Sequence, residues 1–546
     1  GATTQGAMAQ TESATEQSQI DEIIVTATKR ETSLQDTALS ISVMTGKDLE
    51  NRGITSVNEF LNTIPGVSVG DVTPGLPRIH MRGITTSNTA GGRATTSVYL
   101  DEFPLSVRAR DIRLIDVERV EVLKGPQGTL YGQSAMGGII RYITGKPNTD
   151  ALSGKIDSYL SNTEDSDGLN YGINGHINIP LADNLAMRLV GYSYDNDGFV
   201  DVKGAFPKED ANTEETNGGR LALRWNITDS TTLDFTYLNQ RIETGEPRVS
   251  ETYELNSTGT VDLQPIDLSN PSDMTQVEWL FKDEVYNLKL DMEFERFNVS
   301  LMASDKVLTN QRKDDQVGYL LLSEGHSNET VGPTITKVNT FEARMVSNSD
   351  NDNFFDWIAG VWYEDLEMER YQDSFYSGPD QLVFGFIPMT EGLIIRDDLT
   401  VDTSQEVVVY GELSMHFSEQ ATLTLGYRRS DVEVDQEVKF INGLAGAAQR
   451  ALIGVDQLVQ EDVDTYKVNF EYQWNDDIFL YALATSGYRA GGFNAGNSIV
   501  GTPPTSFSSD TLWNYELGAK TSWMDNRLVA NASIYHVDWE DIQLGR

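Results

Sequence analysis

The sequence predicts a mostly β protein: a small N-terminal α+β domain followed by a transmembrane antiparallel β-barrel. Three observations carry that reading. From residue 152 onward, alternating strands are punctuated by tight turns rich in Asp, Asn and Ser, as in "PLADNLAMRL", "NITDSTTLDF", "HFSEQATLTL", "QWNDDIFLYA" and "SWMDNRLVAN". Longer acidic connections lie between successive turns, so short links at one end of the strands alternate with long loops at the other. No run of 18 apolar residues occurs, which excludes a helical membrane span and leaves a barrel untouched, because barrel strands never look hydrophobic overall.

At the front, "GAMAQ" sets Ala7 and Ala9 at signal-peptidase spacing, so residues 1–9 read either as a signal-peptide remnant or as a small-residue tail. Residues 10–30 form a flexible polar leader ending in the β-prone run "DEIIVTATKR" (21–30). "TGKDLENRG" (45–53) and "TSVNEFLNTIPG" (55–66) predict two short helices, each ended by Gly or Pro-Gly. "VSVG", "RIHMRGI", "TSVYLDEFPL", "VERVEVLKG" and "GIIRYITGK" predict strands that complete a first domain over 31–148. The barrel takes the remainder, 149–546.

Tight turns near 183, 229, 295, 350, 419, 476 and 525 each join two strands, and one more strand at about 152–162 brings the expected total to fifteen. Parity supports these strands. Tyr466, Val468, Phe470, Tyr472 and Trp474 are apolar or aromatic, and the intervening Lys467, Asn469, Glu471 and Gln473 are polar. A soluble sandwich would alternate as well. Lipid outside is favoured by strands of about ten or more residues and by aromatics gathered just before the tight turns (Trp225, Phe294, Phe417, Trp474, Trp523), where an interfacial girdle belongs.

Composition excludes several function classes. Acidic residues outnumber basic ones 83 to 41, for a formal charge of −42, so nucleic acid is not a partner. There is no cysteine, and the five histidines are scattered, so no metal site is expected. No G-x-S-x-G occurs, and an enzyme is not expected. "YDNDGFVD" places Asp195, Asp197 and Asp201 around a glycine, but Phe206 stands where a calcium loop needs its last glutamate, so the stretch reads as a solvated turn.

"VERVEVLKGPQGTLYGQSAMGGIIRYITGKP" (117–147) sets Gly125, Gly128, Gly132, Gly137 and Gly138 between two apolar runs. Glycine at that density marks sharp turns or close approach. A phosphate loop is ruled out, since no Lys-Ser/Thr follows and the next element is a strand. With "VYLDEFPL", "IPGVSV" and "MRGI", this stretch resembles the plug domain of TonB-dependent outer-membrane receptors. "DEIIVTATKR" resembles their TonB box, and "YALATSGYRAGGFNAG" and "LWNYELGAK" resemble their barrel segments. Lys124 departs from the arginine the family usually shows before Gly-Pro, keeping the charge but losing a bidentate fork.

The resemblance implies a plugged barrel in the outer membrane of a Gram-negative bacterium. It implies energised uptake of a scarce solute, by family default a ferric siderophore or other iron complex, with an oligosaccharide or vitamin-like ligand as the alternative. A passive porin or a barrel enzyme would lack the plug and the box. No cofactor is implied. TonB, with its inner-membrane energising complex, would pair with Asp21, Glu22, Ile23, Ile24, Val25, Thr26 and Ala27 as an added strand. Gly83, Gly125, Gly128, Gly132, Gly137 and Gly138 would let the plug turn and pack against the inner wall. Arg82 and Arg141 in the plug, and Glu412 and Glu516 on the wall, are the expected latch residues. Arg78, Asn88, Arg93, Arg108 and Arg110 are expected to face the ligand. Plugged transporter barrels have roughly 22 strands, so fifteen lead us to expect a chain cut at both ends, with about 180 residues lacking at the back.

Overall fold

The computed structural model of the chain describes residues 23–70, 75, 77–85, 93–105, 110–202, 208–245, 253–255, 261–263, 269–270, 278–315, 327–349, 353–377, 381–383, 387–390, 393–442, 456–493 and 506–543. Strands with alternating apolar and polar residues pair by main-chain hydrogen bonds into one antiparallel sheet of 15 strands, arranged in chain order. Six of the seven expected tight turns join neighbouring strands, from Ala182/Leu185 to Trp523/Leu528, and the strands flanking the seventh pair up to Val346 and Ile358, with 350–352 outside the described residues. Ser153–Ser161 and Leu528–Glu540 are the sheet's edge strands.

Pleating sends successive side chains to opposite faces. Tyr515 and Leu517 are 46% and 61% exposed on the outer face, whereas Glu516 between them is 2% exposed against the inner domain. Strands reach 23 residues at Phe355–Ser377, against the roughly 9–11 a bilayer requires. Their loop-side ends therefore extend past the hydrocarbon. Among the described residues, four small two-stranded ribbons sit in the long connections, including Tyr253–Leu255 with Val261–Leu263 and Gln381–Val383 with Ile387–Met389. The sequence reading had these as loops, because two- and three-residue ladders carry no measurable periodicity.

The concave face of the sheet holds the inner domain. Its central sheet has five strands in the order Ile41–Thr45, Val117–Lys124, Gly138–Thr144, Thr96–Leu100 and Phe103–Pro104. The helix Gly46–Arg52 starts where the Thr45 side chain accepts from the Asp48 amide and stops at Gly53, whose φ is 66°. The helix Val57–Leu61 opens on a capping box between Ser56 and Glu59. It is shorter than its sequence pattern, because Asn62 to Gly66 turn the chain into the next strand, Val67–Gly70. A four-residue helix, Gly128–Tyr131, sits fully buried inside the glycine-rich stretch, where we expected only turns. Leu49, Phe60, Leu61, Val120 and Val122 form the core, and Leu238 and Val285 of the wall join the same cluster. The inner domain thus completes its core on the barrel.

One expectation is corrected. The leader was expected to stand outside the inner domain, yet Ile24–Val25 pairs antiparallel with Thr32–Ser33, and Val25 and Ala27 are buried. The reason is apolar burial: Ala27 packs with Tyr99, Leu123 and Tyr131. Asp21 and Glu22 lie outside the described residues.

Candidate functional site: the seam between inner domain and wall

The chemistry-bearing side chains concentrate where the inner domain meets the wall. Arg82 sits in a left-handed turn (φ 53°) between the strands Arg78–Met81 and Ile84–Thr85. That turn projects its guanidinium to Glu516 at 2.7 Å, with Asn514 accepting at 3.1 Å and the Tyr535 ring 4.2 Å away. Tyr481 donates to the other oxygen of Glu516 at 2.6 Å. A buried ion pair persists when further hydrogen bonds satisfy its spare valences, and this one joins plug to wall between two of the expected latch residues.

The other two expected latch residues do not meet. Arg141 donates to Glu121 at 2.6 Å, on the adjacent strand of its own sheet. The register places the two side by side, so the carboxylate within the domain outcompetes any on the wall. Glu412 is paired by Lys467 of the wall at 2.9 Å and meets the inner domain by accepting from Thr129 at 2.9 Å.

Among the residues expected to face ligand, Arg110 is buried beside Asp283 of the wall at 3.4 Å. Arg93 donates to Ser404 at 2.5 Å and lies 3.9 Å from Glu364. Both bind the wall because its inward parity positions are rich in carboxylates, and a buried cation seeks a partner. Arg78 is half-buried on its strand, while Asn88 and Arg108 lie outside the described residues.

Two carboxylates of the inner domain escaped the sequence reading. Asp116 accepts from Arg188 at 2.8 and 2.5 Å and from Arg220 at 2.5 Å, with His176 at 3.3 Å. Glu102 accepts from Lys289 at 2.5 Å and from Arg344, and Lys29 lies 3.8 Å away. Burial alone would raise the Glu102 carboxyl, but Arg344 and Lys289 hold it well below the usual carboxylate range. Burial, with Arg344 close by, pulls the Lys29 ammonium down to about 8. Parity held a usable signal here: Arg188, Arg220, Lys289 and Arg344 are all inward-facing cations on their strands, and His176 faces inward with them.

The segment expected to act as the TonB box is tied to the same network. Arg141 donates to the Thr26 hydroxyl at 3.0 Å, Glu121 accepts from the Thr26 amide at 3.3 Å, and Tyr131 donates to the Ala27 carbonyl at 2.8 Å. Two glycines show where close approach is needed. A Cβ on Gly128 would strike the Ser486 carbonyl of the wall, and one on Gly132 would strike the Arg428 guanidinium. Gly125 lies against Arg82, while Gly137 and Gly138 lie against the inner domain's own strands.

Comparison with known proteins agrees with this architecture. The TonB-dependent receptor plug domain model matches residues 33–139, and the TonB-dependent receptor-like β-barrel model matches residues 224–545. The pesticin receptor of Yersinia pestis is 22% identical over 539 residues, covering 96% of this chain and 72% of that protein. The ferrioxamine B receptor of Salmonella typhimurium is 30% identical over 242 residues, 41% of this chain and 31% of that one. Among solved structures, the ferric yersiniabactin uptake receptor of Yersinia pestis superposes with a TM-score of 0.76 at 18% identity, covering 93% of this chain and 73% of that one. The ferripyoverdine receptor of Pseudomonas aeruginosa gives 0.72 at 17% identity, covering 94% and 65%.

Proposed function

This chain belongs to the TonB-dependent receptor family, and from that premise we propose that it is an outer-membrane transporter that imports an iron–siderophore complex under traction from TonB. One observation carries the traction step: residues 23–27 form an edge ribbon whose backbone and side chains hang on Glu121, Arg141 and Tyr131. Ile24 of that ribbon is exposed, which leaves an extended segment for a partner to capture by strand addition. Iron as cargo rests on the relatives, which include receptors for ferrioxamine B and ferric yersiniabactin. The remaining expected box residues, Asp21 and Glu22, belong to the same handle in this reading.

Deleting residues 21–27 tests the proposal. Cells carrying the deletion should still bind a radio-iron siderophore from a hydroxamate and catecholate panel, and should lose energised uptake of it. Normal uptake by the deletion variant would remove the handle from the mechanism.

A further inference from the structure

The wall strands Ile394–His416, Ala421–Asn442 and Asp456–Asn475 carry an axial succession of polar groups that the latches do not explain. At their turn-side ends lies a cavity of about 1020 Å³. Asp356, Glu412 and Glu471 line it from the wall, and Thr28, Arg30 and Thr37 from the inner domain. Its volume lies at the upper end of small-molecule pockets, roughly 300–1,000 Å³. At its upper end Thr129, on the short helix Gly128–Tyr131, donates to Glu412 at 2.9 Å. Beyond that contact the wall continues with Glu406, which accepts from Arg428 at 3.1 Å and Tyr488 at 2.6 Å. Among the described residues, a void of about 30 Å³ lies there, beside Arg93 and Gln133.

The helix therefore separates a roomy turn-side cavity from a closed stretch of polar wall. The cavity's inner face is the segment that directly follows residues 23–27, so a pull on that handle acts first on the cavity. Resting on the transport reading above, we propose that the solute passes on this side of the barrel. The cavity is its preformed turn-side half, the Gly128–Tyr131 helix is its barrier, and withdrawal of residues 28–39 opens it. Asp356, Glu412 and Glu471 stand beside Leu39, Phe354, Trp357 and Ile358, so the lining suits a complex that presents both hydrogen-bonding and apolar surface.

The chain has no cysteine, so single thiols report cleanly. In planar bilayers, the variant lacking residues 23–39 should conduct potassium ions. A cationic methanethiosulfonate reacting at Ser414→Cys should cut that current by roughly half or more, whereas reaction at Asn174→Cys, in a separate cavity against the helices Gly46–Arg52 and Val57–Leu61, should not. The intact chain supplies an arm independent of the deletion. Ser414→Cys should react from the turn side about tenfold or more faster than Ser430→Cys, which is fully buried above the barrier. Block through Asn174→Cys alone, or equal reactivity of the two thiols in the intact chain, overturns the assignment. Energised radio-iron uptake unaffected by modification at Ser414→Cys sinks the passage and leaves the transporter standing. Current blocked at Ser414→Cys in a chain without energised uptake does the reverse.

Discussion

At the scale of single residues, Lys29 is the most informative group. Its ammonium is buried 4.3 Å from the centre of the Tyr131 ring and 5.8 Å from that of Tyr99, with Glu102 and Arg344 as its charged neighbours. Burial holds its pKa near 8, against about 10.4 when the segment is free. Between those values the undocked segment binds more protons, so docking of residues 23–30 should strengthen as pH rises through that window and be weakest below it. A fluorophore at Ile24→Cys would follow docking, and Lys29→Met should flatten the response; docking that weakens from pH 8 to 10 would contradict it. The Arg82–Glu516 pair makes a second prediction. Arg82→Met or Glu516→Gln alone should destabilise the seated inner domain by about 3–5 kcal/mol, because each strands a buried partner. The double variant should cost less than the sum, read as a coupling energy in denaturant melts. Sequence parity sends Glu516 inward, and Arg82 and Arg141 of the inner domain are its candidate partners. It could not choose the partner of Arg141, because that choice depends on the Arg141–Glu121 register within the inner sheet.

Elements were legible wherever a period ran long enough. The turns and the fifteen strands follow from alternation and turn chemistry, and the two capped helices from Thr45, Ser56 and Gly53. The helix Gly128–Tyr131 was not legible, since four residues flanked by glycine show no helical period and are held by wall contacts distant in sequence. That dependence is testable by comparing two glycines that share a positive φ. Gly132 (φ 78°) faces the Arg428 guanidinium, whereas Gly83 (φ 80°) has open space where a Cβ would go. Alanine at Gly83 should cost only the left-handed strain, about 1–2 kcal/mol. Alanine at Gly132 adds a clash, in a backbone region (ψ −144°) that glycine alone readily adopts, and should cost at least about 1–3 kcal/mol more. Equal losses in urea unfolding of the inner domain would show that the wall does not hold this helix.

Over the whole molecule, charge sets how deep the inner domain sits. On the wall strands between residues 170 and 347, polarity reverses along the axis. Nearer the loop ends, Arg110 and Arg113 of the inner domain meet the wall carboxylates Asp283 and Glu214. Nearer the turns, Asp116 and Glu102 meet the wall cations Arg188, Arg220, Lys289 and Arg344. Sliding along the axis would therefore bring like charges together, which is costly where water is excluded. Net charge, as read from the sequence, averages this pattern away. Asp116 is the strongest test, because it alone compensates two arginines of the wall. Asp116→Asn keeps the size of the side chain but replaces one of its two acceptor oxygens by a donor and leaves the buried Arg220 without its carboxylate. Loss of one partner from a buried pair costs about 3–5 kcal/mol, and the sheet's own strand pairing is untouched. The inner domain should then unseat at lower denaturant concentration than the barrel unfolds, with a reporter thiol at the buried Val122→Cys becoming reactive first. Adding Arg188→Gln and Arg220→Gln should recover part of the loss by removing the stranded cations. If Asp116→Asn leaves Val122→Cys as protected as in the parent, or if the triple variant is worse than the single, axial charge matching does not seat the domain.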